Sequence, residues 1–209
     1  MKSLKRAQRA SKTPRESTFV TRKVVMPDEL NPNGTLFGGI IMSWIDEVAF
    51  MSARRYSGRP FVVTANIDNI TFLSPLRNGD HVVLTSQVNH AGRSSMEIGV
   101  KVEKEDPYTG DRSHTTSAYL TFVALDERSK PCLVPQLILE TPEDHRRHEE
   151  AIVRVKVRER VKAYLKRKVQ LAKQIKDEPK TIEKRKIFSQ MTLHLKDALD
   201  RYQRFSKGK

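Results

Sequence analysis

A chain of 209 residues is long enough for one ordinary domain and an extension. With 37% apolar residues, 31% charged residues and a formal net charge of +14, it is too polar for one core spread evenly along its length. A single cysteine, Cys132, excludes an intramolecular disulfide framework, and no apolar run approaches the roughly 18 residues that a membrane-spanning helix needs.

Charge divides the chain into three parts: residues 1–16 carry a net +5, residues 17–140 a net -2 and residues 141–209 a net +11. The nearly neutral middle is the expected globular domain. The basic start has no apolar stretch of the kind a secretory signal requires, so it reads as a disordered basic arm, an organelle transit peptide being the alternative. The lone cysteine fits a reducing compartment, and a cytoplasmic location is the expectation.

Residues 18–26, TFVTRKVVM, predict a strand ending before Pro27, and residues 27–37, rich in Pro, Asn and Gly, predict a loop. After Gly38 and Gly39 the segment IIMSWIDEVAFMSARRYSG is apolar at most positions, which predicts a buried helix. Gly58 is a natural C-terminal stop, with Arg54 and Arg55 in the last turns to complement the dipole. From Phe61 the pattern changes. FVVTANIDNITFLSP, HVVLTSQVNHA, SSMEIGVKVEKED and SHTTSAYLTFVAL predict four strands joined by turns at 76–80, 92–93 and 107–110. Strand, long helix and four antiparallel strands make an α+β arrangement in which a curved sheet wraps one helix.

The basic end is helix-prone over 143–176 and broken at Asp177-Glu178-Pro179. A second helix beyond it carries Phe188, Met191, Leu195, Ala198, Tyr202 and Phe205 at alternating spacings of three and four, a short a/d seam suited to a neighbouring helix or another subunit. The expected domains are therefore 1–16, 17–140 and 141–209.

Two features carry chemistry. Asp46 and Glu47 lie mid-helix among Trp44, Ile45, Val48 and Ala49. Carboxylates are seldom buried without a partner or a purpose, and one desolvated without a counter-charge is a better base near neutral pH. The alternative is that one of them faces solvent. Gly38 and Gly39 open the helix, where free N–H groups and the positive end of the dipole suit a developing oxyanion and glycine admits a close approach; tight packing is the alternative. Asp46 lies about two turns, roughly 11 Å, further along the same helix. It cannot serve the same atom as its own Gly39 N–H unless the substrate spans the gap or a second subunit supplies one group.

Four strings, LNPNGTLFGGIIMSWIDEVA, DNITFLSPLRNGD, GRSSMEIGVKVEKED and TTSAYLTFVALD, together resemble the cytosolic acyl-CoA thioesterase family over about residues 18–127. The resemblance implies a hotdog fold, hydrolysis of acyl-CoA to fatty acid and CoA, and no metal or cofactor. It places the catalytic aspartate at Asp46, the loop asparagine at Asn31 with Asn33 as the alternative, and the glycine pair at Gly38 and Gly39. It also implies an active site across a dimer interface, Asn31 and Gly39 of one subunit facing Asp46 of the other, in a dimer or trimer of dimers. Phe37 stands where several relatives have His, so no proton-transfer role falls there. In relatives the segment matching Arg93-Ser94-Ser95 lies along CoA, and Thr71 and Phe72 match the strand on the pantetheine side.

His81, His90 and His114 show no ligand spacing, and there is no Gly-x-Ser-x-Gly elbow or phosphate loop. The rival function is a non-catalytic CoA- or lipid-binding hotdog module. An anionic membrane surface is a candidate partner for 141–209. Nucleic acid is the weaker candidate, because the few aromatics there belong largely to the a/d seam.

Overall fold

The computed structural model describes residues 10–176, with side chains through Leu171. In chain order the elements are β1 (Ser11–Lys12), β2 (Phe19–Val24), α1 (Gly38–Ser57), β3 (Phe61–Phe72), β4 (His81–Ala91), β5 (Ser95–Glu105), β6 (Arg112–Leu125), β7 (Gln136–Leu137) and α2 (Pro142–Lys176). Five strands form one antiparallel sheet in the order β2-β4-β5-β6-β3, with β2 and β3 at its edges. The sheet curves round α1, the hotdog arrangement implied by the resemblance.

The apolar spacing of α1 explains how it is gripped. Ile41, Trp44, Ile45, Val48, Ala49, Ser52, Ala53 and Tyr56 recur at alternating steps of three and one and form a single buried stripe. They meet Leu84, Ile98, Leu120 and Phe122, which lack exposure altogether; burying each such side chain contributes about 1.5–3 kcal/mol. Gly58 ends the helix at φ 62°, its N–H donating to the Arg54 carbonyl. The expectation of a helix buried all round is corrected: Met42 and Met51 are 43% and 45% exposed on the opposite face. Apolar residues at most positions hid the fact that only one stripe meets this chain's own sheet.

Two domain boundaries also differ from those drawn on charge. Within the expected basic arm, residues 10–16 are structured: β1 pairs in parallel with β7, and Arg15–Ser17 form a turn of 3-10 helix. Buried Ser17 fixes that turn, its hydroxyl donating to the Pro14 carbonyl at 2.5 Å and accepting the Val88 N–H at 2.9 Å. At the other end the chain divides into two compact units between Arg158 and Glu159, not at 140. The first unit keeps the opening turns of α2, which lie on the sheet's outer face. There Ala151 is fully buried, His148 Nδ1 lies 3.0 Å from the Asn89 carbonyl, and Arg154 reaches Glu97 of β5 at 2.7 Å. Burial and the nearby positive charges of His148 and Arg158 push the His90 imidazole below its ordinary range. In the second unit every side chain from Glu159 to Leu171 except Lys168 is exposed. The break at Pro179 and the seam from Phe188 to Phe205 lie outside the described residues.

Candidate active site

Of the two carboxylates on α1, Glu47 points outward and pairs with Lys23 at 3.5 Å, whereas Asp46 is half-buried. Asp46 Oδ1 accepts a 2.7 Å hydrogen bond from the Thr64 hydroxyl of β3. A charge-assisted bond of this kind fixes the carboxylate plane. Thr64 is a candidate residue that sequence reasoning missed: in Phe-Val-Val-Thr it is an ordinary strand residue, and only the packing of α1 against β3 selects it.

The loop before α1 is built round Asn31. Its side-chain oxygen accepts the N–H of Asn33 at 2.9 Å and of Thr35 at 3.3 Å, and its amide donates to the Thr35 hydroxyl at 2.9 Å. Gly34, at φ 72°, closes this turn. Asn31 thus shapes the approach to the helix, while Asn33 is exposed. Gly38 and Gly39 occupy the first turn of α1, where N–H groups have no helical acceptor. A Cβ on Gly38 would meet nothing within 4 Å, whereas one on Gly39 would lie 2.5 Å from the Phe37 ring. A side chain at Gly39 would therefore press on the Phe37 ring, whereas Gly38 has open space where a Cβ would stand.

That space is a cavity of about 310 Å³ whose lining includes Thr35, Gly38, Ile41, Phe72, Leu73 and Thr116. Phe72 faces it. Thr71 lies on the other face of the strand, its hydroxyl accepting from the Asn69 amide at 3.1 Å. Arg93 and Ser94 lie in the β4–β5 connection and Ser95 begins β5; the connection is held by the Ala124 N–H on the Ser94 carbonyl at 2.9 Å. Ser95 is in register with Val123, and Val123 with Val63, so this hairpin shares an end of the sheet with Thr64.

Within one protomer the expected site residues fall into two groups. Asp46 and Thr64 sit towards one end of β3, two strands from the Arg93–Ser95 hairpin. Asn31, Gly38, Gly39 and Phe72 gather towards the other end. From Thr64 to Phe72 is roughly 20–25 Å along the strand, and from Gly39 to Asp46 about 11 Å along the helix. Asp46 and the helix start do not meet in a single chain. No group of three or more His, Cys, Asp or Glu side chains placed to hold a metal ion occurs among the described residues, and none of the described helices is long and apolar enough to cross a membrane.

The thioesterase superfamily model matches residues 33–110, a span containing α1, β3, β4 and β5. The chain is 43% identical over 150 residues to the uncharacterized acyl-CoA thioester hydrolase YkhA of Bacillus subtilis, covering 72% of this chain and 87% of that protein. Its structure is similar to that of an acyl-CoA hydrolase from Staphylococcus aureus solved with butyryl coenzyme A and coenzyme A, with a TM-score of 0.72, 33% identity, and coverage of 78% of this chain and 98% of that one. A hexameric acyl-CoA thioesterase superposes with a TM-score of 0.70 at 38% identity, covering 74% and 98%.

Proposed function

The chain belongs to the acyl-CoA thioester hydrolase family of the thioesterase superfamily, and from that premise we propose that it hydrolyses acyl-CoA at a site shared by two subunits, with Asp46 as the central carboxylate. The observation that carries this reading is the Thr64–Asp46 hydrogen bond. It presents an oriented, half-buried carboxylate on the same helix whose first turn opens on an apolar cavity. In the S. aureus enzyme an asparagine, an aspartate 15 positions later and a threonine a further 17 on have each been replaced by alanine. Asn31 and Asp46 are 15 apart here, which favours Asn31 over Asn33, and Thr64 follows Asp46 by 18.

Assembly resolves the separation of the two groups. β3 is an edge strand, paired only on its β6 side, and Phe61, Ile67 and Phe72 along it are 52%, 43% and 53% exposed. A long apolar edge calls for a partner. Antiparallel pairing of two such strands about a two-fold axis near their middle exchanges their ends. The Thr64–Asp46 pair of one subunit then approaches the Gly38–Phe72 cavity of the other. Hexameric relatives fit a trimer of such dimers. In this site Asp46 takes the proton from water as it attacks the thioester carbon, or attacks that carbon itself to form an acyl-aspartate anhydride that water then hydrolyses to the free acid. The Gly39 N–H receives the oxyanion, and the C–S bond breaks to release CoA thiolate. Asn31 holds the loop against the carbonyl, and Arg93, Ser94 and Ser95 supply donors for CoA phosphates. A cytosolic acyl coenzyme A thioester hydrolase of rat, 35% identical over 130 residues, supports a cytoplasmic location.

A subunit-mixing experiment tests both parts of the reading. Asp46→Ala and Asn31→Ala, each assayed alone by thiol release, should lose about 10²–10⁴-fold in kcat. Co-expressed, they should recover about a quarter of wild-type activity, because half the dimers are hybrids with one intact site. An Asp46→Ala chain that turns over normally would overturn the carboxylate assignment. Inactive single variants that give no recovery on mixing would overturn the shared site.

A further inference from the structure

β3 is not a regular strand. Its twelve residues, from Phe61 to Phe72, lie against ten of β6, from Leu125 to Thr116, and the register shifts once between Thr64 and Asn66 and again between Ile67 and Asn69. Each shift inserts one unpaired residue, Ala65 and then Asp68, and each such bulge reverses the inward–outward alternation. Thr64 pairs with Phe122 and faces inward to Asp46. Without the bulge at Ala65, Asn66 would face inward as well. It is instead paired with Thr121, on the outer face. The second bulge sets Asp68 beside Asn66 and Asn69, so three polar side chains crowd one short stretch of the outer surface.

Something must hold that arrangement, because a bulge sacrifices ladder hydrogen bonds. Asp68 supplies the tie. One oxygen accepts from the Asn66 amide at 2.8 Å; the other accepts from the Thr121 hydroxyl at 3.3 Å and from Arg158 Nη1. Arg158 also donates to the Thr121 hydroxyl at 2.8 Å, so it joins β3, β6 and α2 at one point. The Asp68 side chain is only 10% exposed and Arg158 is its one ion-pair partner among the described residues. A contact on the outer face of the sheet thereby fixes the strand segment that presents Thr64 on the inner face.

We propose that Arg158 is a positioning residue for the thioesterase reaction: through Asp68 it locks the double bulge of β3 and so holds Thr64 against Asp46. This rests on the reading of Asp46 and Thr64 given above. It makes the first part of α2 a component of the catalytic unit, although α2 lies on the opposite side of the sheet from Asp46. Removing the guanidinium strands a desolvated carboxylate, and Asp68 swings towards water. The segment from Thr64 to Asn69 then relaxes towards regular pairing, and displacement of a supporting group by about 1 Å is enough to cost turnover heavily.

The test is a double-mutant cycle in the full-length protein. Arg158→Met should lower kcat about tenfold with KM changed less than about twofold, because the substrate contacts stay intact. In a Thr64→Ala background, already without the hydroxyl, Arg158→Met should lower kcat no further. A purely structural role would reduce activity by the same factor in both backgrounds, and that result would overturn the proposal, as would an unchanged kcat for Arg158→Met alone. If Arg158→Met does not fold, Asp68→Asn run through the same cycle decides by the same criteria. A failed cycle leaves the Asp46 reading standing; the subunit-mixing experiment judges that reading separately.

Discussion

Thr64 shows how much one hydroxyl can contribute at the scale of a residue. Its bond to Asp46 Oδ1 is short and goes to a charged acceptor, a class worth about 1.5–3 kcal/mol. Valine has nearly the same shape but no hydroxyl. Thr64→Val should therefore lower kcat by about 10–100-fold with little change in thermal stability, whereas Thr64→Ser should stay near wild type. Steady-state thiol release with a melting curve for each variant checks this. Equal activity of the Val and Ser variants would remove Thr64 from the site. Asp46 itself was legible because an acid between Ile45 and Glu47 on an apolar helix needs an explanation. Thr64 was not legible, since threonine is an ordinary strand residue and its partner is 18 positions away. The split between Asp46 and Glu47 was equally out of reach. Neighbours on a helix point about 100° apart, and only the position of the sheet decides which one is half-buried.

At the scale of elements, the strands were legible from β-branched alternation and turn residues, and the end of α1 from Gly58. What escaped is what depends on a neighbouring element. The two bulges of β3 left only a loose alternation in the sequence, and the basic composition of α2 drew it wholly outside the domain. Two of its arginines, Arg154 and Arg158, face the sheet: Arg154 Nε and Nη2 both donate to Glu97 Oε1, at 3.1 and 2.7 Å, and its guanidinium lies 3.6 Å from the centre of the Tyr119 ring. Glu97 is 2% exposed. Breaking a buried ion pair on one side leaves the other charge uncompensated, at a cost of about 3–5 kcal/mol. Arg154→Met should accordingly lower the urea midpoint by that equivalent with an unchanged m-value. The double variant Glu97→Leu/Arg154→Met, which removes both charges, should recover most of the loss. A single variant as stable as wild type would mean that α2 does not bury this pair in solution.

For the whole molecule, charge and packing draw different borders. Counting charges separates 17–140 from 141–209, yet the turns of α2 up to Arg158 pack with the domain and neutralise its outward acids, Glu97 and Asp68. Most of the basic excess lies further on. Removing 166–209 takes away 14 Lys and Arg against five acids and lowers the net charge from +14 to +5. It leaves Arg158 two turns inside the helix, protected from fraying at the new end. This truncation should keep full thiol-release activity and melt within a few degrees of the complete chain, since the side chains it removes through Leu171 are exposed apart from Lys168. Removing 141–209 instead uncovers Glu97 and Asn89 and deletes Arg154 and Arg158, so it should cost both stability and turnover. The pair of truncations therefore separates the α2 turns that complete the domain from the basic remainder. Equal loss of activity in both would place the essential part of the extension beyond Leu165 and refute the border at Arg158.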